Sequence, residues 1–171
     1  MADNLVQFSV GEYQASQGTN GKWTIANVPV FKKGHHKGVE YSDDWINTTV
    51  TNSQALQADS GYLSPVFVGH TDPKEKVPTE KPVIGLMSNV RREGDDIISD
   101  LTNITDENFK DFKDGVFPYR SPELIPATHS ITGLAVTGST RPFFKYPPLN
   151  IAFNQFADGT DNAAVVVPYD E

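Results

Sequence analysis

The chain has no cysteine. Disulfides, thiolate metal sites and cysteine nucleophiles are therefore excluded from its chemistry. Positive charge is also scarce: 14 Lys and Arg stand against 22 Asp and Glu, a net charge of −8. Nucleic-acid binding needs a cationic surface to neutralise phosphates, so nucleic acid is not an expected partner. Long apolar runs are missing too, and nothing approaches the roughly 20 residues that cross a bilayer. The opening MADNLVQFSV lacks the basic flank and apolar core of a signal peptide, so a cytoplasmic protein without a membrane partner is expected. No HExxH or spaced carboxylate set occurs, and the adjacent histidines of GHHKG would point to opposite faces of a strand. Neither a metal nor another cofactor is expected.

What remains is 171 residues, 37% hydrophobic and 21% charged, enough for one domain with a real core. LVQFSV (5–10) alternates weakly, GTNGK (18–22) is a turn, and WTIANVPVF (23–31) is a β-branched, aromatic strand. KKGHHKG (32–38) breaks the pattern. YSDDWINTTVTNSQALQA (41–58) predicts a helix with Ser42 as cap, and GYLSPVFVGH (61–70) a strand ending in His70. TDPKEKVPTEKP (71–82) is a solvated loop. VIGLMSNVRREGDDIISDLTNI (83–104) predicts a hairpin turning at REGDD. TDENFKDFKDG (105–115) predicts a short helix, capped by Thr105 and stopped by Gly115. ITGLAVTG (131–138) is another strand, and beyond Phe143 proline, glycine and polar residues dominate. The expected organisation is a domain over residues 1–155 and a C-terminal tail or linker over 156–171. Its class is α+β, mainly β and barrel-like, with a few short helices.

With cysteine absent, nucleophilic catalysis falls to serine, threonine or lysine. A serine needs a base, and histidine has the suitable pKa. The histidines are His35, His36, His70 and His129. His70 follows a strand and precedes a loop, a setting that suits either a catalytic imidazole or one bonded to backbone. Ser121, in GVFPYRSPELIP, precedes a proline, where a serine is ordinarily a loop residue. No GxSxG elbow surrounds it, which disfavours an α/β-hydrolase. Glu123, two residues on, would share its face in an extended segment, to bind substrate, orient a partner or pair with Arg120 or Lys113.

The order GYLSPVFVGHT, then PVIGLMSNVRREGDDIISDLTNITDENFKDFKDGVFPYRSPEL, then ITGLAVTGSTRPFF resembles the tailed-phage head maturation proteases, nearest to the Mu-type group, over about residues 25 to 150. The resemblance implies a serine endopeptidase on a herpesvirus-assemblin-like β-barrel. Such an enzyme acts inside the assembling procapsid on scaffolding protein, on capsid-protein precursors and on itself. It matches Ser121 to the nucleophile and His70 to the general base. Where herpesvirus-type enzymes carry a second histidine, SITGLAVTG offers Thr132 or Gly133 instead. The orienting group is left among His36, His129 and an acid such as Asp72, with His36 first. Backbone N–H groups or a basic side chain would stabilise the oxyanion, and Arg141 in GSTRPF is a candidate for the latter. The reading from another class is a non-catalytic phage structural or scaffolding protein with the same fold.

Overall fold

The computed structural model describes residues 12–69, 81–139, 142, 144 and 146–153. The expected strand LVQFSV, most of the 71–82 loop and the expected tail lie outside the described residues. In chain order the strands are β1 (Glu12–Gln17), β2 (Trp23–Lys32), β3 (Gly34–His36), β4 (Val39–Tyr41), β5 (Pro65–Val68), β6 (Val83–Glu93), β7 (Asp96–Ile104), β8 (Tyr119–Ile125), β9 (Ser130–Thr137) and β10 (Asn150–Phe153). Helix α1 (Asp43–Ser60) follows β4 and α2 (Asp106–Lys113) follows β7. Over the described residues the fold is mixed α/β, mainly β, with a curled half-barrel sheet and two α-helices. No helix among the described residues is long and apolar enough to cross a membrane.

Eight strands form one sheet in the order β10-β1-β2-β7-β6-β5-β9-β8. The β1–β10 and β5–β9 pairs are parallel, and the other neighbours are antiparallel. The curl has a local cause. Asn27, Asn89 and Asn103 each adopt a left-handed backbone, with φ of 60°, 53° and 58°. Asn27 and Asn89 coincide with register shifts in the β2–β7 and β6–β7 ladders. Asparagine tolerates this conformation better than other side-chain-bearing residues, and each bulge bends and twists its strand. Asp100 secures the bend: its carboxylate accepts the Asn27 backbone N–H at 2.9 Å and pairs with Arg91 at 3.4 Å.

Helix α1 starts where Ser42 Oγ accepts the Trp45 N–H at 3.2 Å, with Asp43 and Asp44 favourably placed in the first turn. It ends at Gly61, whose φ of 72° few other residues would adopt. Its buried face is Trp45, Ile46, Thr49 and Val50; of these Trp45, Ile46 and Val50 belong with Val66 and Leu134 of the sheet to a single core cluster that also takes in Phe31, Leu101 and Ile104. Side-chain amides fasten the same helix at two places: Asn52 Nδ2 donates to the His129 carbonyl at 3.2 Å, and Gln54 Nε2 to the Val90 carbonyl at 3.1 Å.

Three local expectations are corrected. KKGHHKG is no mere interruption: β3 and β4 pair as a ribbon through a Lys37-Gly38 turn with positive φ, and Tyr41 and His36 pack against Phe31. The polar stretch after Phe143 contains β10, whose order comes from parallel pairing with β1 rather than from its own pattern. The Ser-Pro segment is a strand, β8, and not a loop. Because β8 ends the sheet order, the missing N–H of Pro122 breaks no ladder on its outer side.

Candidate active site

Strand β8 carries Ser121, and its register builds the surroundings. Arg120 stands opposite Val136, Ser121 opposite Ala135 and Glu123 opposite Gly133. One strand further, Phe67 stands opposite Ala135. Paired residues share a sheet face, so Ser121, Ala135 and Phe67 form a row across three strands. Glu123 and Gly133 lie on that same face, and Arg120, Val136 and Leu134 on the other. Val136 and Leu134 belong to the core cluster and Phe67 does not, so the Ser121 row faces away from the core. Ser121 is nonetheless only 5% exposed, and Ala135, Phe67 and Thr137 around it are buried as well.

Gly133 makes that row possible. A Cβ there would fall 2.5 Å from Cε2 of Phe67 and 3.1 Å from the Pro65 carbonyl. The Phe67 ring therefore lies directly on the glycine backbone, beside Ser121's in-register neighbour Ala135.

Strand β5 ends at Val68, and Gly69 follows it; the Gly69 N–H donates to the Val136 carbonyl at 3.0 Å and its φ is 76°. His70 is the next residue. It lies outside the described residues, as do Asp72 and Arg141.

His36 sits on β3, its Nε2 2.8 Å from the Lys32 carbonyl. Its ring meets Phe144 edge-on at 5.0 Å and lies near Phe31 and Tyr41. Phe31, Tyr41 and Phe144 are members of the core cluster, so these contacts are on the core side of the sheet, whereas Ser121 faces the other way. His129 occupies the turn between β8 and β9, with φ 54°, and stacks on Trp45 at 5.9 Å. Four residues of strand, about 13 Å, separate Ser121 from Ile125 at that turn. Thr132 Oγ1 donates to the Glu123 carbonyl at 3.1 Å.

Arg120 is the residue that sequence reasoning undervalued. Expected at most to pair with Glu123, it turns inward, is 3% exposed, and gives its donors elsewhere. Nε donates to the Pro29 carbonyl at 2.9 Å, Nη1 to the Pro147 carbonyl at 3.0 Å and Nη2 to the Tyr13 hydroxyl at 2.9 Å. The guanidinium also lies over the Tyr13 and Tyr146 rings. Burial lowers its pKa, an effect opposed by Tyr13. Tyr146, whose hydroxyl donates to Asp96 at 2.9 Å, has its own pKa raised, first by burial and then by the Asp96 charge. The strand alternation that separates Arg120 from Ser121 was legible only once the segment was known to be a strand.

Among the described residues no three His, Asp or Glu side chains converge as metal ligands would. No family model, no curated protein and no solved structure matches the chain.

Proposed function

We propose that this protein is a serine endopeptidase of the tailed-phage head maturation type, with an assemblin-like barrel, Ser121 as nucleophile and His70 as general base. Its substrates in this reading are scaffolding and capsid precursor proteins inside the procapsid, and its own chain. The observation that carries the reading is the three-strand row. Ser121 stands two strands from Phe67, about 10 Å across the sheet, and His70 follows three residues after Phe67 in the sequence. Ser121 and Phe67, far apart in sequence, thereby share one sheet face.

The chemistry is acyl transfer. Ser121 Oγ bonds to the peptide carbonyl carbon while its proton passes to the imidazole of His70, and the carbonyl electrons move onto oxygen. Backbone N–H groups or a cation such as Arg141 hold that oxyanion. The C–N bond then breaks, and the amine leaves with the proton from the imidazolium. Water repeats the sequence on the acyl-enzyme, releasing the new carboxylate and restoring Ser121. His36, His129 and Asp72 are the candidates for orienting His70.

A second reading, a non-catalytic phage structural or scaffolding protein, is favoured by one observation: Ser121 is almost fully buried. Co-expression with a scaffold or capsid precursor separates the two. The enzyme reading expects cleavage by the parent chain, and losses of about a thousandfold or more in both Ser121→Ala and His70→Ala, since nucleophile and base act as a unit. Equal cleavage by parent and Ser121→Ala overturns it.

A further inference from the structure

Strand β8 lies at one end of the sheet order, so its backbone ladder fixes it to β9 alone. A strand held on one side can shift or tilt unless something else fixes it. Arg120 supplies that second anchorage. Its three hydrogen bonds reach three separate segments: Pro29 on β2, Tyr13 on β1, and Pro147 in the stretch leading to β10. Next to it, the Leu149 N–H donates to the Pro118 carbonyl at 2.8 Å, drawing the two ends of the curled sheet together.

Only arginine suits this geometry. Its planar fork presents five donors in fixed directions, whereas lysine offers a single charged point on a flexible stem. A buried cation is also a poor way to gain stability. Its desolvation is costly, and well-packed apolar residues commonly serve as well or better. Among the described residues no carboxylate bonds this guanidinium; it rests on carbonyls, a hydroxyl and ring faces. Its value to the molecule is therefore geometric.

Resting on the reading of Ser121 as nucleophile, we infer that Arg120 is the positioning residue of the site: fastened to Pro29, Pro147 and Tyr13, it sets where Ser121 stands. The two residues share one peptide bond and face opposite sides of the strand, so Arg120 acts from the core side without touching substrate. A displacement of β8 by a fraction of an ångström carries Ser121 with it.

The test uses the full chain and a fluorophosphonate probe. Ser121 Oγ bonds to phosphorus as fluoride leaves, and the hydroxyl proton goes to the base. Ser121→Ala is the control for labelling at other residues. In Arg120→Met, shown to be folded by circular dichroism and cooperative unfolding, the limiting labelling rate is expected to fall about tenfold to a hundredfold. The half-saturating probe concentration should stay within about twofold and the pH midpoint should not move, because binding and base are untouched. Arg120→Lys should fail to restore the rate, since it keeps the charge and loses the fork. Tyr13→Phe, which deletes one acceptor and keeps the ring, should show the same pattern at a loss of about threefold. A folded Arg120→Met that labels at the parental rate overturns the inference, as a parental rate in Tyr13→Phe does if Arg120→Met fails to fold. A parent chain not labelled at Ser121 removes the nucleophile reading, and this inference with it.

Discussion

Thr49 is fully buried on α1, and its hydroxyl makes no hydrogen bond. A buried hydroxyl without a partner loses its water and gains nothing in return, so Thr49→Val, which keeps the branched shape, should stabilise the fold by about 1 kcal/mol. The urea midpoint reads this directly, and a lower midpoint contradicts it. Gly133 makes the opposite case. With the Phe67 ring 2.5 Å from where a methyl would sit, Gly133→Ala should cost about 1–3 kcal/mol by displacing the ring. Because Phe67 and Ser121 flank the same alanine, the cleavage activity proposed above should fall further in this variant than its stability alone explains. Sequence reasoning singled out Gly133 only as a position on the strand after the serine. That the glycine exists to admit a ring from another strand depends on a register no single segment reveals. The same holds for Arg120, whose partners lie on β1, on β2 and beyond Tyr146.

Elements with strong local signals were legible. Ser42 and Thr105 cap the two helices as expected, and REGDD turns the hairpin at Gly94, whose φ is 62°. These rest on hydrogen bonds and backbone preferences contained within a few residues. Strands β8 and β10 were not legible: one contains a proline, the other is four residues long, and both owe their order to a partner strand. Helix α1 is also more than its cap. Trp45 Nε1 donates to the Pro126 carbonyl at 3.0 Å, tying the start of the helix to the turn that follows β8. Ser42→Ala should therefore cost about 1 kcal/mol, visible as a lower thermal midpoint. Trp45→Phe keeps an aromatic ring while removing the donor and part of the ring volume. Hydrogen exchange should show the 126–129 turn opening faster in that variant, while β7 stays protected; unchanged exchange at the turn contradicts the tie.

Across the whole molecule, charge pairs gather near the start of α1. Arg92 and Lys33 both reach Asp43, and Lys33 also pairs with Asp95 at 3.4 Å. Hydrogen bonds from Arg92 and then Lys33 hold the Asp43 carboxyl below the ordinary value of 3.8. The sign follows from the depressed native value. The contribution is complete above the unfolded pKa and is lost as pH falls through the native one. Asp43→Asn should flatten the stability curve below about pH 4 and leave its shape near neutrality unchanged. A curve as steep as the parent's in acid contradicts the assignment. Lys33, raised by the same carboxylate, loses its share only as pH climbs past 10.5.

The parallel ladder between β1 and β10 joins Glu12 to Asn150 and Ala15 to Phe153. During synthesis β1 must therefore wait unpaired on that side until almost all the described chain has left the ribosome. The Arg120 anchorage waits as well, since it needs Tyr13 from the beginning and Pro147 from near the end. If Ser121 works only when β8 is fixed, then a half-made chain cannot cut its neighbours. On the proposed function, the sheet topology acts as a timer that withholds the site until β10 has been made.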